Sequence, residues 1–281
     1  MANRSARWAL YPSGIQYRLT LPCGKFSTLS ADRDTTGGLR WHLRALWQRR
    51  RWQHTSALIA DWLDTTRPAS SHLLLIGGSA GWMMSSAWLQ QFRQIDLIDI
   101  DPHASWLFRL NHGRALRASG THLQFVRMDG LKELDRLLKA APDATIFFDN
   151  VLGQHLYRVR DMARAESELK QIAARLQGRD WGSVHDLYSG PVESVRAVAQ
   201  PVLLYHAVNE AQGLVVNGLR DTPMHRLLLS QLGGHDEWMD HLTSGLFPVG
   251  TASHVIAWPF LPDYAHWLQA GWVTGAGSSS G

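Results

Sequence analysis

Cysteine is nearly absent. The single Cys23 in 281 residues excludes an internal disulfide framework and a cysteine-based zinc site. No stretch approaches the roughly 18 uninterrupted apolar residues that a membrane span needs, so no membrane partner is expected. The opening MANRSARWALYPSG lacks the long apolar run of a secretion signal, and these absences together predict a cytoplasmic protein. A strong excess of one charge is missing too, for 28 Lys and Arg stand against 24 Asp and Glu, a net +4. That surplus is unevenly placed: residues 1–70 hold eleven basic side chains against four acidic ones, and the remainder is slightly acidic. There is no internal repeat.

The basic character centres on GLRWHLRALWQRRRW, residues 38–52. At helical spacing Arg40, Arg44 and Arg51 fall near one face while Leu39, Leu43, Leu46 and Trp47 share another. This predicts an amphipathic helix with a solvated basic side; a nucleic-acid footprint is the less favoured reading, because charge runs alone discriminate poorly. Before it, IQYRLTL and GKFSTLS, separated by Pro22 and Gly24, predict a small hairpin. Helices are expected at about 37–52 and 54–65, and TTRPASS then reads as a linker. The division expected is a hairpin and basic helical segment over 1–70, a main domain over 71–274, and a disordered tail at 275–281.

From Ser71 short apolar runs alternate with amphipathic stretches, the pattern of βαβ units. Strands are expected at 72–77, 95–100, 123–128, 144–149 and 181–186, with helices at about 82–93, 103–117, 131–140 and 160–176. The fold class that follows is α/β: a doubly wound, mainly parallel sheet preceded by a small hairpin plus helices. Beyond Gly190 we expect helices near 192–200 and 223–232, an apolar PVLLYHAV, and a strand SHVIAWPF before DYAHWLQAGW.

The first strand runs into Gly77-Gly78-Ser79-Ala80-Gly81. As G-x-S-x-G these residues match the elbow that carries a nucleophilic serine in α/β-hydrolases, but such an elbow follows a mid-sheet strand and needs an oxyanion loop upstream, and only one hairpin precedes this one. As a nucleotide-binding turn they require an acid at the end of the next strand, about 20 residues on, to accept from ribose hydroxyls. Asp99 lies 22 residues beyond Gly77. Its neighbour Asp101 is expected mainly to cap the following helix. A dinucleotide fingerprint would want a third glycine where Met83 stands, and Trp82 with Met83 would crowd a pyrophosphate.

Taken in succession, LLLIGGSAGW, IDLIDIDPHA, FVRMDGLKEL and TIFFDNVLGQ resemble the motifs of the class I S-adenosylmethionine-dependent methyltransferases, and the first half is also similar to aminopropyltransferases of the spermidine-synthase group. The likeness covers roughly residues 72–190. It implies a Rossmann-like methyltransferase fold and S-adenosylmethionine as cofactor. By it Gly77, Gly78, Ser79 and Gly81 form the turn under the methionine part, Asp99 binds ribose, Asp129 with Gly130 meets the adenine, and Asp149 lies beside the reacting centre. The sequence departs from the family where Leu75 replaces a common acid and Ser79 the second glycine.

Methyl transfer from a sulfonium depends on orienting the acceptor, with a base needed only where the acceptor must lose a proton. Candidates are sought at the strand ends. DNVLGQHLY offers Asn150 for positioning and His155 as a base; VHDLYSGP offers His185, Asp186 and Tyr188, with His185 as the alternative base. Aminopropyl transfer would want more acids than the one in DNVLGQHLY. His235, Asp236 and His241 match no established metal-ligand spacing, and no metal is expected. Trp41, Trp258, Tyr264 and Trp267 are candidate walls for an acceptor. The expected activity is methyl transfer to a small molecule, by a monomer or homodimer; RNA methylation, aminopropyl transfer, serine hydrolysis and a non-catalytic binding protein are the alternatives.

Overall fold

The computed structural model of the chain describes residues 8–10, 16–18, 38–191, 202–205 and 239–275. The chain forms two compact units, Met1–Thr36 and Gly37–Gly281. In the first, β1 (Trp8–Leu10) pairs antiparallel with β2 (Gln16–Arg18). A hairpin is therefore present, but IQYRLTL supplies its second arm and not its first, while GKFSTLS and Cys23 lie outside the described residues.

One sheet organises the second unit. Its parallel strands are β3 (His72–Ile76), β4 (Gln94–Asp99), β5 (His122–Arg127), β6 (Thr145–Asp149) and β7 (Trp181–Pro191), in the spatial order β5-β4-β3-β6-β7. The chain steps outward from β3 to β5 and then returns to the other side of β3, so the order reverses between β3 and β6. In open α/β sheets ligands bind at such a switch point, outside the carboxyl ends of the strands. Beyond β7 the sheet turns antiparallel through β11 (Tyr264–Val273), β10 (Ala252–Leu261) and β8 (Val202–Tyr205), and β9 (Met239–Asp240) pairs with β7 off this path.

The run Leu73-Leu74-Leu75-Ile76 is buried throughout because β3 is covered on both faces. Period-two alternation sends Leu73 and Leu75 into one apolar cluster and Leu74 and Ile76 into another. The first cluster is closed by α1 (Gly38–Thr65), the second by α4 (Leu134–Ala140) and α6 (Met162–Arg175).

Several expected elements differ. α1 is one continuous 28-residue helix where two were expected. Its buried stripe is His42, Ala45, Trp52, Thr55, Ile59, Trp62 and Leu63, whereas Leu39, Leu43, Leu46 and Trp47 are exposed. Polar anchors select that face: Trp52 Nε1 donates to Phe260 O and Thr55 Oγ1 to Ala257 O, both on β10. The helix expected at 82–93 shrinks to one turn, α2 (Ser86–Leu89), capped by Ser85. The helix expected at 160–176 splits into α5 (His155–Val159) and α6, because Arg160 takes a left-handed φ of 58° and Asp161 caps the new helix through Arg164 N. α3 (Ala104–Ser119) agrees with expectation and ends on Gly120 at φ 75°. The fifth strand runs on to Pro191, past the expected end at 186, and DYAHWLQAGW is strand β11. The helices expected near 192–200 and 223–232, and all of the expected tail except Gly275, lie outside the described residues. No helix among the described residues is long and apolar enough to cross a membrane.

The face that α1 buries is directly testable. Leu63→Ala empties a fully buried position and should cost about 2–5 kcal/mol, while Trp47→Ala, at a position 77% exposed, should stay within about 0.5 kcal/mol; urea unfolding of the two variants measures the difference.

Candidate active site

The glycine turn stands at the carboxyl end of β3 and is shaped by close approach. Gly77 has φ 75°, and a Cβ there would run into Val151 Cγ1; at Gly78 a Cβ would come within 2.7 Å of Leu75 Cγ and Leu97 Cδ1. Gly81, at φ 65°, lies against His112, whose Nε2 meets Gly81 O at 3.0 Å while Asn111 Nδ2 donates to Ala80 O at 2.7 Å. Helix α3 thus pins the far side of the turn. Ser79 adopts φ 47°, and its Oγ is buried with no hydrogen-bond partner among the described residues. A serine nucleophile needs a base within hydrogen-bond reach, and none meets this hydroxyl.

Ser79 contributes its backbone instead. Ser79 N donates to Asp99 Oδ2 at 2.9 Å, and Asp101 N donates to Asp99 Oδ1 at 2.8 Å. The carboxylate at the end of β4 is thereby held beside the turn with a lone pair left on each oxygen. Burial raises its pKa against the pull of these backbone donors. Asp149, at the end of β6 and partly buried, is pushed up to about 7 by desolvation and then by the charge of Asp99. So two acids from the strands flanking β3 face the same region. Leu75, in the place of the family's common acid, is completely buried.

Asp101 has a wider role than capping its own turn. Its Oδ1 accepts from His103 N, and its Oδ2 accepts from Gly38 N at 2.6 Å and meets His42 Nε2 at 3.0 Å. Trp82 Nε1 donates to His42 Nδ1 at 3.3 Å, which ties the residue after the glycine turn to α1. Asp129 accepts from Leu131 N and Lys132 N and pairs with Arg158 and Lys132, which hold its carboxyl below the usual range despite partial burial. Gly130 packs against Ile76, where a Cβ would lie 2.5 Å from Cγ2.

The acceptor-side candidates separate clearly. His155 Nε2 is engaged by Glu168 at 2.8 Å, tying α5 to α6, and burial lowers its pKa. His185 is fully buried, meets Ser183 Oγ through Nδ1, lies tilted against the Phe247 ring, and is driven by desolvation to about 4, a base too weak to keep a proton near neutrality. Asn150, at φ 56°, uses both ends of its amide on one residue: Nδ2 donates to Asp186 Oδ2 at 2.9 Å and Oδ1 accepts from Asp186 N at 2.9 Å.

Asp186 is the hub that sequence reasoning passed over. It is completely buried, and its carboxylate accepts from Asn150 Nδ2, from Gln154 Nε2 at 2.8 Å and from His266 Nδ1 at 2.8 Å. Desolvation is the largest effect on it, yet His266, His241 and Asn150 outweigh that and hold it at about 2. His241 lies nearby; its Nδ1 donates to Gly153 O and its Nε2 meets Ser189 Oγ, both at 2.8 Å, and burial keeps it neutral. Ligand atoms of Asp186, His241 and His266 lie within 4.8 Å of one another, close enough for a metal, but both His241 nitrogens already have partners in hydrogen bonds. His235 and Asp236, the partners weighed for His241 in the sequence, lie outside the described residues. A signal for His266 existed: YAHW alternates in a strand, so a histidine there faces one side of a sheet next to β7. Of the expected walls, Trp267 and Trp258 are core residues, and Trp41 stacks on Phe260 beside them.

No family model matches the chain, and no curated protein does. Solved structures with a similar fold do exist. A Nostoc punctiforme protein is 13% identical over 83% of this chain and 60% of its own, with a TM-score of 0.41. An O-methyltransferase family protein from Burkholderia thailandensis is 13% identical over 84% and 60%, TM-score 0.37. Magnesium protoporphyrin IX methyltransferase from Synechocystis, solved with bound S-adenosylmethionine, is 14% identical over 87% and 91%, TM-score 0.38. The chain spans three-fifths of the length of the first two. The fold class is Rossmann-like α/β; at such identities and scores the functional reading rests on the site itself.

The close approaches give a test of the turn. Gly77→Ala should lose the roughly 1–2 kcal/mol of a left-handed residue and a further amount for the collision with Val151, whereas Gly178→Ala, at φ 74° in open space, should lose the conformational part alone; paired thermal melts report both.

Proposed function

We propose that the chain is an S-adenosylmethionine-dependent methyltransferase acting on a small molecule. One observation carries this reading: a glycine turn at the switch point of the sheet, with its own amide bonded to the carboxylate at the end of the next strand and a second acid at the end of β6. Backbone that approaches without side chains suits the methionine part, and a carboxylate with spare lone pairs suits two vicinal ribose hydroxyls. Asp129 and Gly130, at the end of β5, would meet the adenine. The absence of a regular helix directly after Gly81 removes the amide cradle that a pyrophosphate would want and leaves room for a phosphate-free cofactor.

S-adenosylmethionine supplies an electrophilic methyl on a sulfonium. The chain's part is to hold the ribose on Asp99 and the cationic end near Asp149, and to seat the acceptor in line with the methyl group beside Asn150. An RNA acceptor is less favoured, since Arg44 lies over Phe260 and Arg51 is bonded to Gln48, which takes two of the basic side chains out of a free row.

Calorimetry with S-adenosylmethionine should show saturable binding, weakened about tenfold to a hundredfold by Asp99→Ala. Asp149 holds a proton below about pH 7 in the free protein, and a cationic ligand favours its ionised form. Affinity should therefore rise as pH climbs towards 7, by up to about tenfold per unit, and level off above it; Asp149→Asn should bind weakly with no such slope. No binding at millimolar cofactor would overturn the reading.

A further inference from the structure

We propose that His266, oriented by Asp186, is the proton acceptor of the reaction, and that the methyl acceptor is a hydroxyl; this rests on the methyltransferase reading above. The imidazole is 3% exposed and presents Nδ1 to Asp186 Oδ1 at 2.8 Å. An ionised carboxylate only accepts, so Nδ1 carries the proton and Nε2 of the neutral ring is a bare lone pair. That Nε2 is buried with no partner among the described residues. A buried acceptor left open in this way costs about 1–3 kcal/mol, a cost that is offset when a proton-bearing ligand arrives.

The surroundings of the dyad are arranged for that task. Asp186 is fixed on its other oxygen by Asn150 and Gln154, so it stays anionic and aimed at the ring. Gly153, where a Cβ would lie 2.5 Å from Asp186 N, lets the loop after β6 close over it. The other titratable groups facing His266 already have partners: His241, with both nitrogens bonded, and the Tyr264 phenol, which meets Ser189 Oγ at 3.1 Å. Trp258 and Phe260 lie 5.0 and 4.9 Å from the His266 ring, centroid to centroid, and Trp41 and Trp52 stack behind Phe260.

The base also selects the reacting group. Carboxylates and acidic thiols are already ionised near neutrality, and an amine attacks through its own lone pair, but a hydroxyl must shed its proton as it attacks. In the step, the acceptor oxygen forms a bond to the methyl carbon, the carbon–sulfur bond breaks with its electron pair passing to sulfur, and the hydroxyl proton moves to Nε2. Asp186 then faces an imidazolium, an ion pair it is already positioned to stabilise. Asn150 acts through Asp186 and is a positioning residue.

Histidine-labelled full-length protein, saturated with S-adenosylhomocysteine, tests this by nitrogen NMR. The His266 signal is identified by its contacts to the Trp258 and Phe260 rings and by its loss in His266→Gln, so a variant that fails to fold does not block the assignment. At pH 8 the ring should be protonated on Nδ1 and bare on Nε2, and Nε2 should shift on adding 4-methylphenol but not toluene. Where His266→Gln folds, it should bind S-adenosylhomocysteine within about twofold of the parent. A proton on Nε2, a signal indifferent to the phenol, or stoichiometric zinc or iron in the purified protein that is lost in His266→Gln would overturn the proposal. Failure of the methyltransferase reading shows separately, as no binding of S-adenosylmethionine by the parent protein.

Discussion

The carboxylate of Asp186 is the constraint on which the joint between the parallel and antiparallel strands depends. A fully buried charge is tolerated only when donors replace its water, and here they come from three separate elements. Asn150 follows β6, Gln154 caps α5, and His266 sits in β11. Thr243 adds a further tie by donating its hydroxyl to Asp186 O at 2.6 Å. Each donor fixes the loop or strand that carries it, so the charge sets the geometry between the parallel and antiparallel halves of the sheet. A register shift between Trp267 and Leu268 on β11, opposite β7, accompanies it and lets strand residues on both sides reach the same point.

A second network secures the glycine turn. Asp99 receives the turn's amide, Asp101 receives the first amide of α1 and His42, and His42 receives the Trp82 indole. These links explain why α1 begins where it does: an acid at a helix N-terminus satisfies an amide the helix leaves open and complements its dipole. Although α1 lies far from β4 in the chain, its first turn reports on the cradle's geometry through one carboxylate.

Much of this was legible in the sequence. The alternation of apolar runs and amphipathic stretches between 71 and 186 predicts the parallel strands, and Asp99 and Asp149 do end theirs while Asp129 follows two residues after Arg127. The α1 face was not legible. Leu39, Leu43, Leu46 and Trp47 satisfy helical periodicity, yet the sheet is met by Trp52, Thr55 and Trp62, since two β10 carbonyls demand donors that only Trp52 and Thr55 provide at that register. The dyad was hidden for a different reason. Asp186 and His185 are adjacent and so point to opposite faces of β7, and only the partner from β11, 80 residues on, reveals which of the two is paired with a histidine.

The two networks meet at consecutive residues. Asp149 and Asn150 differ by one amide group, yet they serve opposite sides, because the left-handed φ of Asn150 turns the chain sharply and Asn tolerates that conformation better than most residues. Asp149 faces another acid, and among the described residues no donor compensates its desolvation, so its proton is held to about pH 7. Asp186, more deeply buried still, has two amide donors and an imidazole and stays ionised to about pH 2. The contrast lies in their donors: with none, a carboxylate keeps its proton to near neutrality, and with three it stays ionised, although the two stand on neighbouring strands.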